Sequence, residues 1–425
     1  MRAIIIGTPQ KIISFFCVLL AVAACSGAQK TGIPPQQDIV LESDTPVIDS
    51  TKIKDDIIIS DQTDSLDKVY PKNRKDTYQL AYVLPFFLKE YPNLSKTNEY
   101  YSNLSFEYWW GAKLAFDTLE SIGFNAGINI YDTRNDSAQI ASIGTKLVQR
   151  NTDLIIGPIF PGNVAQLVEL CDSNSMNLLS PLAQTSSCEP FSNRILFAKP
   201  STEIVNVETC RYITEKYDST YPVFIFCREV DYEKSEAEFF EAALGKHFKS
   251  VKLHSVNSNY VGKGSFKNSF PDSSIVIITS ERESFVSSVL AEMRRSLKEF
   301  TSFGSDRWLE FQATDFDAWE RLNTHFISTL NIDYCNSLSQ DFIRRYRKTY
   351  HAEPSKYAIS GYSDALYFGM HLHLFGTSFQ RYFGEIELNL PHNQMHMEQD
   401  KDCGCYFNSQ VYILRLKDHE LVIAQ

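Results

Sequence analysis

Little in this chain of 425 residues advertises a reaction. GxSxG, HExxH, a P-loop and GxGxxG are all absent, so the common hydrolase, zinc-peptidase and nucleotide-binding signatures are missing. Cations are scarce too: 41 Lys and Arg stand against 52 Asp and Glu, a net charge of −11. The first 24 residues hold two of those cations, Arg2 and Lys11, and no acid, so the remainder is more acidic still. Such a body lacks the phosphate-neutralising surface of a nucleic-acid binder. Glycine (18) and proline (16) are too few for a collagen-like chain, while 43% hydrophobic residues can build sizeable cores. Of nine cysteines, seven remain once Cys17 and Cys25 in the N-terminal segment are set aside. An odd number cannot all pair, which excludes a disulfide-stapled scaffold. Cys171 and Cys188 can bridge a helix end to a loop or remain core thiols.

Long apolar runs are also lacking. No segment beyond residue 24 reaches 18 consecutive apolar residues, and residues 12–24 (IISFFCVLLAVAA) form a run of only 13. That is too short for a stable membrane span and fits the core of a signal peptide. The run ends in Val22-Ala23-Ala24-Cys25-Ser26, which resembles a bacterial lipobox, where small residues admit the peptidase and the cysteine thiol takes up diacylglycerol. The alternative is an ordinary secretory signal followed by a chance cysteine. The lipobox reading makes 1–24 a lipoprotein signal peptide, Cys25 the lipidated residue, and the protein membrane-anchored through acyl chains alone. Residues 26–77 are rich in Asp, Ser, Thr, Pro and Lys with one aromatic, Tyr70, and are expected to be a disordered tether.

From Tyr78 onward short apolar runs alternate with amphipathic segments. Strands are expected at 80–85, 128–131, 154–157, 178–181, 195–199, 223–227, 251–256, 275–279 and 326–330. Between them Ile140, Ile143 and Leu147 share a helical face, as do Val164, Leu167, Val168 and Cys171, and Phe240, Ala243, Leu244 and Phe248. This alternation implies an α/β fold with parallel sheets covered on both faces, and the length suits two doubly wound, Rossmann-like lobes.

Several segments together resemble the type I periplasmic-binding-protein superfamily, in its branched-chain-amino-acid-binding-like branch. They are Tyr78–Phe86 (YQLAYVLPF), Glu107–Gly123 (EYWWGAKLAFDTLESIG), Asn129-Ile130-Tyr131-Asp132-Thr133, Leu154–Pro158, Asn177–Ala183 (NLLSPLA) and Arg194–Ser201 (RILFAKPS). Asp231-Tyr232 opening a helix and Phe342-x3-Tyr346-x3-Tyr350-x3-Pro354-x2-Tyr357-Ala358-x2-Gly361-Tyr362 continue the series. The same pattern is similar to the carboxy-terminal domain of penicillin-binding-protein activator lipoproteins, which use this fold without transport. The resemblance implies three crossovers between lobes. It places lobe 1 at 78–199 with 331–377, lobe 2 at 200–330 with 378–425, and a ligand in the cleft between them.

The resemblance also implies the site. Relatives hold the ligand through loops after the third and fourth strands of lobe 1, here Pro158–Asn163 and Ser180–Ser186, which nominates Gly162, Asn163, Ser180, Ala183 and Thr185. The first of these loops lacks the relatives' serine or threonine. From lobe 2, Tyr232 falls where relatives place an aromatic, and Glu281 and Asp306 where they reach the ligand amine. Lys199 could pair with an acidic ligand, although a surface lysine near the crossover is the blander account. His392, Met395, His396, Met397, Cys403 and Cys405 fall within 14 residues, but their spacing matches no closed zinc pattern, so no metal and no cofactor are expected.

Two functions follow from these implications. One is a bacterial solute-binding lipoprotein holding an amino-acid-like ligand or peptide fragment, working with an ABC permease and lacking enzymatic activity. The other is a cell-envelope interaction protein that regulates or tethers a peptidoglycan synthase. In relatives from double-membraned bacteria Ser26 after the lipid cysteine suits the outer membrane, with the body facing the periplasm.

Overall fold

A computed structural model of the chain describes residues 74–425 except 185–191, 263–269, 272, 314, 392–394, 419 and 425. The signal peptide, Cys25 and most of the tether, together with Thr185, Cys188 and His392, lie outside the described residues. Residues 74–77 differ from the tether expected there. Arg74 Nε donates to Leu374 O at 2.8 Å and Lys75 Nζ pairs with Asp153 at 2.6 Å, so the folded body starts before Tyr78.

Two seven-stranded sheets form the body. The first contains β1 (Tyr78–Leu84), β2 (Ala126–Asp132), β3 (Leu154–Ile156), β4 (Asn177–Ser180) and β5 (Ile195–Phe197), all parallel in the order 2-1-3-4-5. The second repeats that order with β6 (Val223–Arg228), β7 (Val251–Val256), β8 (Ser274–Ile278), β9 (Phe300–Ser305) and β10 (His325–Ser328). A doubly wound sheet reverses direction beside its first strand, and each lobe therefore has its switch point between the first and third strands of its set.

The chain passes between lobes three times, as the resemblance implies, but the third passage comes later than expected. The described residues of 378–408 stay with lobe 1. There β12 (Tyr406–Asn408) runs parallel to β5, and β11 (Met397–Gln399) pairs antiparallel with β12. Leu388, Leu390, Met395 and Met397 bury in the lobe 1 core. Only β13 (Tyr412–Lys417) and β14 (Glu420–Ile423) join sheet 2, through β10. The physical reason is packing: the apolar side chains of 386–397 have no helical or strand period, so only the core that accepts them reveals their lobe.

Helices cover the sheets where the periodicity places them. In α1 (Lys96–Ser121), Ser95 caps the N-terminus by accepting from Asn98 N, and in α2 (Ser137–Gln149) Asp136 does the same for Ala138 and Gln139. Ile140, Ile143 and Leu147 of α2 are buried as expected. The expected helix over 164–171 is two pieces, α3 (Pro161–Ala165) and α4 (Val168–Asn174), although Val164, Leu167 and Cys171 still bury in one cluster. Next come α5 (Thr202–Lys216), α6 (Asp231–Leu244), α7 (Glu283–Arg295), α8 (Phe316–Arg321), α9 (Ser337–Tyr350) and α10 (Lys356–Phe375). Helix α10 is buried on nearly every side and crosses α1 so closely that backbones touch at Gly111 and Gly361. Among the described residues no helix is long and apolar enough to cross a membrane.

Candidate functional site: the interlobe cavity

Strand ends carry the site. A cavity of about 900 Å³ is lined by residues just beyond the carboxyl ends of strands from both sheets. From lobe 1 come Pro181 and Leu182 after β4, Ala198 and Lys199 after β5, and Asn408 at the end of β12. From lobe 2 come Thr279 and Glu281 after β8, Asp306 and Arg307 after β9, and Thr329 after β10. The first turn of α6 adds Asp231 and Tyr232, and α10 adds Lys356, Tyr357 and Asp364. A volume of this order suits a small molecule.

Most inward charges already have partners. Arg307 pairs with Glu281 at 3.4 Å, Lys356 pairs with Glu310, and Asp306 accepts from Ser328 Oγ at 2.5 Å. Asp364 accepts from Tyr108 OH at 2.7 Å, and Tyr357 OH lies 2.5 Å from Tyr100 OH. Behind the wall, fully buried Glu233 receives Arg228 Nε, the Arg228 backbone N–H and Ser280 Oγ, each at 2.9 Å. Arg228 also donates to Tyr232 OH at 3.3 Å, which orients the hydroxyl end of that aromatic side chain.

Burial sets the protonation of this wall. Loss of hydration pushes Asp364 up to about 7, against the opposing hydrogen bond from Tyr108 and the charge of Lys199. Burial also pushes Glu236 up to about 7, helped by the neighbouring Glu281 and Glu233 carboxylates. The same loss of hydration lowers Lys199. A carboxyl raised in the folded state keeps a proton that the unfolded chain has lost, so its contribution to stability falls as pH rises from the ordinary carboxylate range to about 7, and is flat above. Asp364→Asn is expected to flatten the decline of melting temperature between pH 4 and 7, since one proton accounts for up to about 1.4 kcal/mol per pH unit. Scanning calorimetry across that window checks it; an unchanged slope would show that Asp364 does not titrate there.

The structure brings together only the lobe 2 part of the expected site. Tyr232, Glu281 and Asp306 line the cavity. The described lobe 1 candidates do not. Ser180 is fully buried and donates its hydroxyl to Pro158 O at 2.6 Å, and Ala183 packs into a core cluster. Asn163 is buried with its amide donating to Asn135 Oδ1 at 3.0 Å, while Gly162 faces open space. Pro161 does occupy the first position of α3, as expected, but that helix is only five residues long. Gly157, whose φ of +98° is in the left-handed region, turns the chain here with its α-carbon pressed toward Val83 O. Thr185 lies outside the described residues. Lys199, Glu236, Lys356 and Arg307 are the cavity residues that sequence reasoning left in the background or passed over. Lys199 directly after a strand at a crossover was the available signal.

No protein-family model matches the chain, and no curated protein is similar to it in sequence. Solved structures are similar in fold. A putative branched-chain amino acid ABC transporter protein from Rhodospirillum rubrum superposes with a TM-score of 0.62 at 13% identity, over 82% of this chain and 100% of that one. An ABC transporter substrate-binding protein from Desulfitobacterium hafniense, in complex with Leu, gives 0.55 at 14% identity over 82% and 100%. The branched-chain amino acid transporter substrate-binding protein of Streptococcus pneumoniae, in complex with isoleucine, gives 0.51 at 15% identity over the same shares. The body therefore has the two-lobed fold of type I periplasmic binding proteins.

Proposed function

We propose that this protein is a solute-binding protein that holds a small, polar, amino-acid-like ligand between its lobes, without catalytic chemistry. The observation that carries this reading is the cavity of about 900 Å³ at the carboxyl ends of strands from both sheets, walled by charged side chains of both signs. The substrate-binding proteins of like fold, two of them in complex with leucine or isoleucine, support the same ligand class. Lobe closure over a ligand is the motion such a hinge-connected pair allows.

A ligand present at 100 times its dissociation constant adds about 2.7 kcal/mol of stability. In a body of this size that raises the melting temperature by roughly 5–10 °C. Tyr232 is largely exposed at the cavity wall, so Tyr232→Ala is expected to shrink the shift while moving the unliganded melting temperature by no more than about 2 °C. Thermal-shift screening with amino acids and short peptides checks both points. Absence of a shift with every compound would count against solute binding and in favour of an interaction protein. A shift left intact in Tyr232→Ala would keep the binding reading and remove Tyr232 from the site.

A further inference from the structure

Two charged side chains of the cavity stand apart from the rest. Lys199 and Glu236 both line it and are partly buried, and among the described residues neither makes a hydrogen bond or an ion pair. The other inward charges have partners: Arg307 with Glu281, Lys356 with Glu310, Asp306 with Ser328 and Asp364 with Tyr108. Glu203 and Asp231 are exposed to water and need none. A desolvated charge without a partner is a cost to the folded state. The two that bear that cost have opposite signs and come from different parts of the wall, Lys199 from the lobe 1 crossover and Glu236 from the first turns of α6 in lobe 2.

We infer that Lys199 and Glu236 are the two charge contacts of a zwitterionic ligand, Lys199 taking its carboxylate and Glu236 its ammonium group. The inference rests on the solute-binding reading and specifies it. It also replaces the lobe 1 hydroxyl contacts that the sequence suggested, because Ser180 spends its hydroxyl on Pro158 O. A zwitterion bridging the two would join lobe 1 to lobe 2 and draw them together, each charge supplying the partner the other end lacks. The field around Lys199 is mixed: loss of hydration lowers it most, the Asp306 and Asp364 carboxylates favour its charge, and Lys356 and Arg307 oppose it, so a ligand carboxylate would strengthen a setting already partly arranged for a cation.

The test is isothermal titration calorimetry on the full chain with the twenty common amino acids, each amino acid that binds being repeated as its carboxamide and as its deaminated acid. Both derivatives should bind at least about tenfold more weakly than the parent zwitterion. Lys199→Met, which keeps the aliphatic stem, should lose a similar factor for the zwitterion yet bind the carboxamide no worse than the unsubstituted protein does. Lys199→Arg should retain binding, and Glu236→Gln should lose affinity for the zwitterion but not for the deaminated acid. The unliganded melting temperature of Lys199→Met should be unchanged or higher, because an unpaired ammonium has been removed; a fall of several degrees would make the lysine a structural residue. Zwitterion binding undiminished in Lys199→Met overturns this assignment and leaves solute binding standing. Failure of the unsubstituted protein to bind any amino acid overturns the amino-acid-like reading itself and this assignment with it.

Discussion

Gly361→Ala is expected to destabilise the body by about 3 kcal/mol, a fall of roughly 6–12 °C in melting temperature. In an ordinary helix interior the same change gains up to about 1 kcal/mol, so the sign alone is diagnostic. A β-carbon at Gly361 would sit 2.0 Å from Tyr108 O, and one at Gly111 would sit 1.8 Å from Ala358 O. Both obstacles are backbone atoms of the facing helix, so no rotamer change relieves them and α1 must move away from α10. That movement would open the largest cluster of the lobe 1 core. It would also displace Lys356, Tyr357 and Asp364, which α10 presents to the cavity. Thermal unfolding followed by circular dichroism checks the prediction. A variant melting within about 2 °C of the parent would mean that the helices do not approach this closely.

Arg228→Met is expected to cost a similar amount, about 3 kcal/mol, because it leaves Glu233 buried without its counter-charge. Glu233 has no exposed surface and sits against Arg228, Ser280 and Tyr232. The reverse change should be milder. Glu233→Gln leaves an arginine whose side chain is 18% exposed and can turn toward water. Combining the two substitutions should recover part of the loss, since the lone buried carboxylate is then gone. Urea unfolding of the two single variants and the double variant gives the cycle. Strict additivity would show that the pair does not act as a unit.

Much of the architecture was legible because burial imposes a pattern. Strands β1, β6 and β8 are nearly continuous apolar runs, interrupted only by Gln79, Arg228 and Ser274 at or near their ends, as strands covered on both faces tend to be, and α2 shows its buried face through Ile140, Ile143 and Leu147. Strand β9 was not legible. Its sequence, Phe300-Thr-Ser-Phe-Gly-Ser, is half polar, and its buried Ser302 is accommodated between β8 and β10 by donating Oγ to Thr324 Oγ1 at 2.8 Å, just ahead of the neighbouring strand. A buried hydroxyl with a partner leaves no hydrophobic signal. The site divided in the same way. Tyr232, Glu281 and Asp306 follow strand ends in lobe 2 and do reach the cavity, whereas Ser180 is the last residue of β4 in lobe 1 and turns inward to Pro158. Position after a strand says that a residue is near the cleft; it does not say which way the hydroxyl points.

What the sequence by itself determined is therefore the set of local choices: the acidic surface, the helix caps at Ser95 and Asp136, the alternation of apolar strand and amphipathic helix, and the doubly wound order that such units adopt. These depend on residues close together in the chain. The tertiary structure alone decided which lobe receives residues 378–408, how closely α1 and α10 approach, and which cavity charges are left without partners. Each of those depends on contacts across hundreds of residues, as between Tyr108 and Asp364, or Arg74 and Leu374. Lys199 shows the difference most directly. In the sequence it is a lysine after a strand, and only the cavity around it, where Arg307 and Lys356 are paired with other carboxylates and no ion pair among the described residues reaches Lys199, makes it a group in need of a carboxylate.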